Sequence, residues 1–179
     1  MITPLKIGID FGGVLSKHEK SRKTDDASEH RSISINMPGA IDGLRELKKA
    51  NHKLYIISFC GKQRAIETKA SLLQSNDIKG IFDGIYFVKD ISYKVDICSL
   101  LGCDIMIDDR LDILESIHQK ISTMKLIWLI PNNNIGFSNN VLRLDSWSSI
   151  LKAVNEGIAD PNIRHIPVFT FLKNKLHDV

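Results

Sequence analysis

Four short segments of the sequence place a carboxylate, a hydroxyl or an ammonium group beside an apolar run. In chain order they contribute Asp10, Ser58, Lys94 and the pair Asp108-Asp109. Adjacent carboxylates are costly to bury unless a positive group binds them, and Mg²⁺ prefers such hard oxygen ligands. A hydroxyl and an ammonium group are suitable donors to phosphoryl oxygens. The set therefore predicts a site for a phosphate group and a magnesium ion.

Asp10 is the most informative of these residues because an apolar strand pattern ends there. Leu5, Ile7 and Ile9 predict a short buried strand, and Gly12-Gly13 allow a sharp turn after it. In open α/β sheets, ligands bind in the crevice outside the carboxyl ends of the strands. This position favours a ligand site over the alternative, a carboxylate that only caps a turn.

Strand and helix patterns alternate along the chain as far as residue 130. Segments of this length indicate right-handed crossovers and a largely parallel sheet. We expect an α/β fold with three layers, a doubly wound and mainly parallel sheet, and no large cap domain. The predicted strands are 5–9, 54–57, 85–88, 104–107 and 125–130. The first predicted helix opens at Pro38-Gly39 and has Lys48 and Lys49 near its end; the others are 63–75, 94–101 and 112–120, and 131–140 is a predicted loop.

Length and composition indicate one folded core. The chain has 179 residues, of which 43% are hydrophobic, enough for a single domain. We expect a core domain over residues 1–150, interrupted by a polar loop or flap insertion at 16–37. The tail, 151–179, contains an apolar stretch at 168–172 and is expected to pack on the core or on a second copy in a homo-oligomer.

The same composition argues against several classes of protein. A net charge of +3, spread along the chain, gives no indication of nucleic-acid binding. No apolar run approaches the roughly 18 residues of a membrane span, and no secretory signal pattern begins the chain. Cys60, Cys98 and Cys103 form no CxxC pair. Such an odd number of cysteines is typical of reduced thiols, so we expect a cytoplasmic protein with no membrane partner.

Taken together, the four segments resemble the motifs of the haloacid dehalogenase (HAD) superfamily of aspartate-nucleophile phosphohydrolases. The resemblance covers residues 5 to 130 and includes the phrases MPGAIDGLRELKKANHKLYIIS and IMIDDRLDIL. It implies Mg²⁺, a phosphorylated substrate of unknown identity and a phospho-aspartyl intermediate. The implied roles are catalysis by Asp10 and Lys94, phosphate binding by Ser58, Lys94 and Gly13, and metal binding by Asp10, the backbone carbonyl of Gly12, Asp108 and Asp109.

Gly12 departs from the pattern of this superfamily. Its phosphatases carry a second Asp two residues after the nucleophile, which protonates the leaving oxygen and activates water. Loss of such an acid-base group typically lowers the rate by about 10²–10⁴-fold. The resemblance therefore implies a phosphohydrolase of the minimal-cap type, slowed by Gly12.

Two other interpretations stay open at this point. A catalytically silent HAD-like domain would bind a phosphorylated ligand or a protein partner, and Gly12 is its main support. The stretch IGIDFGGV also resembles the first phosphate loop of actin-like ATPases and sugar kinases. Those proteins need two such domains and a hairpin strand after the glycines, where this chain has a charged polar segment.

Overall fold

Helices separate the strands along most of the chain, as the apolar pattern predicts. The computed structural model describes residues 3–17, 34–131, 133–138 and 140–156. In chain order, the elements are β1 (Lys6–Ile9), α1 (Ala40–Lys49), β2 (Lys53–Phe59), α2 (Lys62–Gln74), a 3₁₀ turn (Asn76–Ile78), β3 (Gly84–Val88), α3 (Ile91–Leu101), β4 (Ile105–Asp108), α4 (Leu111–Lys120), β5 (Lys125–Leu129), β6 (Gly136–Ser138), β7 (Val141–Leu144) and α5 (Trp147–Asn155).

The strands form one sheet in the order β3-β2-β1-β4-β5-β7-β6. Every neighbouring pair is parallel except β6 with β7. Strands β2 and β3 lie on one side of β1, and β4, β5, β7 and β6 lie on the other. The direction of winding therefore reverses between β1 and β4, whose carboxyl ends are adjacent. This confirms the predicted mainly parallel, doubly wound sheet.

The two faces of the sheet carry separate apolar cores because successive strand side chains alternate between faces. One core joins the sheet to α1 and α5, and the other joins it to α3 and α4. The first includes Ile7, Ile9, Leu44, Leu47, Trp147 and Ile150; the second includes Ile57, Val95, Met106, Leu114 and Ile117. These two cores make the predicted three layers.

Helix α5 packs in the first of these cores, although the sequence pattern did not predict a helix there. It spans residue 150, where the predicted core domain ends, and its Trp147 is almost fully buried. The ring of Trp147 lies against Gly43 of α1, where an added Cβ would sit 2.5 Å from Cε3. Trp147 Nε1 also donates a hydrogen bond to the carbonyl of Val14 at 2.9 Å. The helix therefore anchors the loop that follows β1.

The prediction of a loop over residues 131–140 is wrong in part. Residues 136–138 form β6, which pairs antiparallel with β7 at one edge of the sheet. A strand this short has no period-2 pattern of its own, and only its pairing with β7 defines it. Strand β7 pairs parallel with β5 and so extends the parallel part of the sheet. The segment between β5 and β7 includes β6.

The polar insertion leaves and rejoins the core at one point. The N–H groups of Asn36 and Met37 both donate to the carbonyl of Leu15, at 3.1 and 3.0 Å. Residues 18–33 of the predicted insertion and 157–179 of the predicted tail lie outside the described residues. Within the described ranges, no cap domain is present and no helix has the length and apolarity that a membrane crossing requires.

Candidate active site

Strand register brings Asp10 and Asp108 together at the carboxyl edge of the sheet. Ile9 of β1 pairs with Ile107 of β4, and the N–H of Asp10 donates to the carbonyl of Ile107 at 2.9 Å. Gly8 and Met106 lie two residues before Asp10 and Asp108, and they are in contact on the face of the sheet covered by α3 and α4. Alternation therefore directs both carboxylates toward that helical layer.

Helix α3 supplies the cation that joins these carboxylates. Its N-cap is Asp90, whose side chain accepts a hydrogen bond from the N–H of Ser92 at 2.8 Å. Lys94, one turn into the helix, is fully buried. Its Nζ donates to Asp10 Oδ1 at 2.7 Å and to Asp108 Oδ2 at 2.6 Å. The structure thus brings together three of the residues that the sequence singled out.

Burial and the neighbouring charges shift the pKa values of two groups in this cluster. Burial opposes the charged form of Lys94, but the carboxylates of Asp10 and Asp108 outweigh it and raise the pKa of this ammonium group. Burial, with a contribution from Asp10, raises the pKa of Asp108 to about 7 against the attraction of Lys94. Asp109 lies close to both Asp10 and Asp108 and is the third carboxylate of the group.

Asp109 completes an arrangement of oxygens that fits a divalent cation. Carboxylate oxygens of Asp10, Asp108 and Asp109 all lie within 4.8 Å of one another. A hard cation such as Mg²⁺ takes oxygen ligands of this kind, usually with several waters. The purely oxygen donor set fits Mg²⁺ better than a transition metal that prefers nitrogen or sulfur.

Gly13 allows the side chain of Asp109 to reach this position. Gly13 has φ +71°, and a Cβ added to it would lie only 2.1 Å from Asp109 Oδ2. The N–H of Gly13 donates to the carbonyl of Ser16 at 2.7 Å, so it is engaged within the turn. A glycine is therefore required at position 13 to leave space for Asp109, and the predicted contact of Gly13 with a phosphate stays a prediction.

Two contacts that sequence reasoning missed fix the acidic pair. Trp128 Nε1 donates to the carbonyl of Asp109 at 3.0 Å, and the N–H of Arg110 donates to Asp108 Oδ1 at 3.0 Å. The guanidinium group of Arg110 bonds Asp112, which is exposed. An indole beside an acidic pair gives no sequence signal, because the pairing of β4 with β5 alone places Trp128 opposite Asp108.

The remaining predicted residues lie at the same edge of the sheet. Ser58 is buried near the end of β2, which pairs with β1. Gly12 is half-buried and forms an isolated bridge with Ser16. The contact of Ser58 with a phosphate and the binding of a metal by the Gly12 carbonyl stay predictions.

Comparison with solved structures identifies the fold. The chain is similar to a D,D-heptose 1,7-bisphosphate phosphatase from B. bronchiseptica, crystallised with magnesium and phosphate (TM-score 0.59, 15% identity, covering 85% of this chain and 98% of that one). It is also similar to a HAD-superfamily hydrolase from Ehrlichia chaffeensis (TM-score 0.56, 13% identity, 87% and 98%). A third match is a haloacid dehalogenase-like hydrolase from Xanthomonas campestris (TM-score 0.57, 12% identity, 86% and 95%).

No protein-family model matches the sequence, and a search of curated proteins finds no match. At identities this low, the structural matches establish the fold and leave the reaction to be argued from the site. The fold is that of HAD-superfamily hydrolases. The structural matches therefore favour a HAD-like fold over the fold of actin-like ATPases and sugar kinases.

Proposed function

We propose that this chain is a magnesium-dependent phosphohydrolase that forms an aspartyl-phosphate on Asp10. The observation that carries the proposal is the bridge of Lys94 Nζ to Asp10 Oδ1 and Asp108 Oδ2, at 2.7 and 2.6 Å, beside a third carboxylate. A buried ammonium group that donates to Oδ1 orients the Asp10 carboxylate, which a carboxylate nucleophile requires. The similar heptose bisphosphate phosphatase, crystallised with magnesium and phosphate, supports the assignment.

Asp10, Asp108 and Asp109 would hold the metal, together with the predicted carbonyl of Gly12. Bound Mg²⁺ supplies positive charge to the phosphoryl oxygens and offsets the repulsion between an anionic nucleophile and an anionic substrate. Lys94 adds a second positive charge at the same carboxylates. Its ammonium group costs no reorganisation during the reaction because two hydrogen bonds already fix it.

The proposed reaction has two steps at phosphorus. In the first, a carboxylate oxygen of Asp10 bonds to phosphorus while the bond from phosphorus to the leaving oxygen breaks. In the second, water attacks phosphorus and releases inorganic phosphate, which regenerates the Asp10 carboxylate. The leaving oxygen needs a proton in the first step unless its own pKa is low, and Gly12 has no side chain to donate one. Aryl and acyl phosphates are therefore the expected substrates.

Hydrolysis of 4-nitrophenyl phosphate and acetyl phosphate tests the proposal. Turnover should require Mg²⁺, and Asp10→Asn should lower it by at least about 10³-fold because the nucleophile is lost. Asp112→Asn is the matched control, since the Asp112 side chain is 60% exposed and bonds Arg110. Equal activity of the Asp10→Asn variant and the unmodified protein would refute the assignment.

Gly12→Asp tests the explanation for slow hydrolysis. Gly12 is not among the described glycines with positive φ, so its backbone accepts a side chain without that strain. The variant should increase turnover of an alkyl phosphate far more than that of acetyl phosphate, because only the alkoxide needs a proton. A folded variant with equal gains on both substrates would show that protonation does not limit the rate.

The second candidate function is a silent domain that binds a phosphorylated ligand. The absence of an acid side chain at Gly12 favours it. Calorimetry with Mg²⁺ and inorganic phosphate separates the two functions. Magnesium-dependent phosphate binding, with no turnover of acetyl phosphate, would support the silent domain.

A further inference from the structure

A groove runs along the outer side of β3, between α2 and α3, next to the candidate active site. Its volume is about 830 Å³, within the usual range of small-molecule pockets. Strand β3 is the edge of the sheet on this side, so no neighbouring strand among the described residues covers it. The lining includes Ala65, Phe87, Tyr93 and Leu100, which present apolar surface from three elements.

The groove and the active site share two structural elements. Tyr93 lines the groove, and the next residue of α3, Lys94, holds Asp10. Cys60 also lines the groove and follows the predicted phosphate ligand Ser58 by two residues. Burial is the main cause that raises the pKa of Cys60, and the negative charge of Asp10 adds to it. The groove therefore adjoins the site through the residues that follow β2 and the first turn of α3.

Charge is distributed unevenly along the groove. Lys62 is the first residue of α2 and Lys89 directly follows β3, so both lie at the carboxyl edge of the sheet, near the site. Neither lysine forms an ion pair with another described residue. Leu100 lies three turns along α3 and is 86% exposed. The groove is thus cationic near the site and apolar farther away, although Asp96 contributes one carboxylate.

We propose that this groove binds the apolar leaving group of the substrate, and that the substrates are aryl phosphates, the phosphate esters of phenols. The inference rests on the proposed function. An aryl phosphate matches the groove because its anionic end would lie beside Lys62 and Lys89 while its ring contacts Tyr93 and Leu100. The same class has a low-pKa leaving group, which the missing acid at Gly12 requires. The groove and the missing acid side chain at Gly12 therefore both favour aryl phosphates as substrates.

Binding of two fluorescent probes to the full chain tests the groove without any reaction. The probes are 1-anilinonaphthalene-8-sulfonate and N-phenyl-1-naphthylamine, which share their aromatic rings and differ in the sulfonate. Leu100→Ser should weaken both probes by about three- to tenfold because it removes apolar contact area. Leu73→Ser is the matched control, since Leu73 is 69% exposed on α2 and lies outside the groove.

The contribution of charge is tested with the same two probes. The sulfonate should bind more tightly than the uncharged amine, and Lys62→Gln should reduce that difference about two- to fivefold, the range of a partly exposed ion pair. Lys69→Gln, an exposed change on the same helix, should leave the difference intact. Equal effects of Leu100→Ser and Leu73→Ser on probe binding would overturn the groove assignment.

Kinetics then test whether the groove serves the substrate. Leu100→Ser should raise KM for 1-naphthyl phosphate and leave KM for acetyl phosphate unchanged. Unchanged KM for both substrates would overturn the assignment to the leaving group. If neither phosphate is hydrolysed, the proposed function fails, and displacement of the sulfonate probe by 1-naphthyl phosphate but not by inorganic phosphate would still support the groove.

Discussion

Lys94→Met removes the ammonium group that donates hydrogen bonds to both Asp10 and Asp108. Methionine has a similar length and no charge, so the variant keeps much of the packing and leaves two carboxylates without their ammonium partner. Lys94 and Asp108 are fully buried, and the side chain of Asp10 is 10% exposed. Water therefore cannot readily replace the lost hydrogen bonds.

The expected loss follows from these contacts. Each hydrogen bond to a charged group contributes about 1.5–3 kcal/mol, and Lys94 makes two of them. Breaking a buried ion pair on one side typically costs about 3–5 kcal/mol, because the remaining charge stays buried. We expect Lys94→Met to lower the free energy of unfolding by about 3–5 kcal/mol at pH 8 without divalent cations.

Urea unfolding of both proteins measures this difference, and Lys48→Met provides the control. Lys48 also bonds a carboxylate at 2.6 Å, but its side chain is 31% exposed and its partner, Asp83, keeps a bond to Lys53. The control should lose no more than about 1 kcal/mol. Equal losses for the two variants would refute the reasoning that burial makes the Lys94 contacts strong.

The pH dependence supplies an independent check. The pKa of Asp108 is about 7 in the folded protein and 3.8 in the unfolded chain, so this group favours the native state below pH 3.8 and loses its contribution as pH rises through 7. The metal-free protein should therefore lose stability from this group between pH 4 and 7. Added Mg²⁺ should restore stability at pH 8, because it binds the ionised form. Stability that rises over this pH range in both the unmodified protein and an Asp108→Asn variant, with equal slopes, would contradict the assignment.

Three further predictions concern single positions. Asp109→Asn should weaken Mg²⁺ binding about tenfold or more in calorimetry, because it removes charge from a hard-cation site; unchanged affinity would exclude Asp109 as a ligand. Bonds to Lys48, Lys53 and the N–H of Leu54 lower the pKa of Asp83, although burial opposes this shift. The stabilisation that Asp83 contributes is therefore present above the ordinary carboxyl pKa and is lost as pH falls through the lowered value. Asp83→Asn should remove this loss and so flatten the acid side of a plot of unfolding free energy against pH. Gly43→Ala should cost about 1–3 kcal/mol in thermal unfolding despite the better helix propensity of Ala, because its Cβ would overlap the Trp147 ring; a stabilised variant would show that the ring moves freely.

The sequence predicted the fold where apolar pattern and strand length agree. The runs that end at Ile9, Ile57 and Ile107 are largely buried strands, and their short length favours a strand over a helix. The pattern failed beyond residue 130. Strands β6 and β7 are short and pair with each other at an edge, so their existence depends on neighbours that a local pattern cannot indicate.

The sequence by itself determined which groups reach the carboxyl edge. An acid after β1, an acidic pair at the end of β4 and a lysine on the intervening helix follow from the order of elements, because parallel strands all end at one edge. The tertiary structure decided how they meet. Register sets Asp10 level with Asp108, the first turn of α3 directs Lys94 Nζ between them, and Gly13 leaves space for Asp109. These contacts join residues as many as 98 positions apart, and only the packed sheet and helices fix distances over such separations.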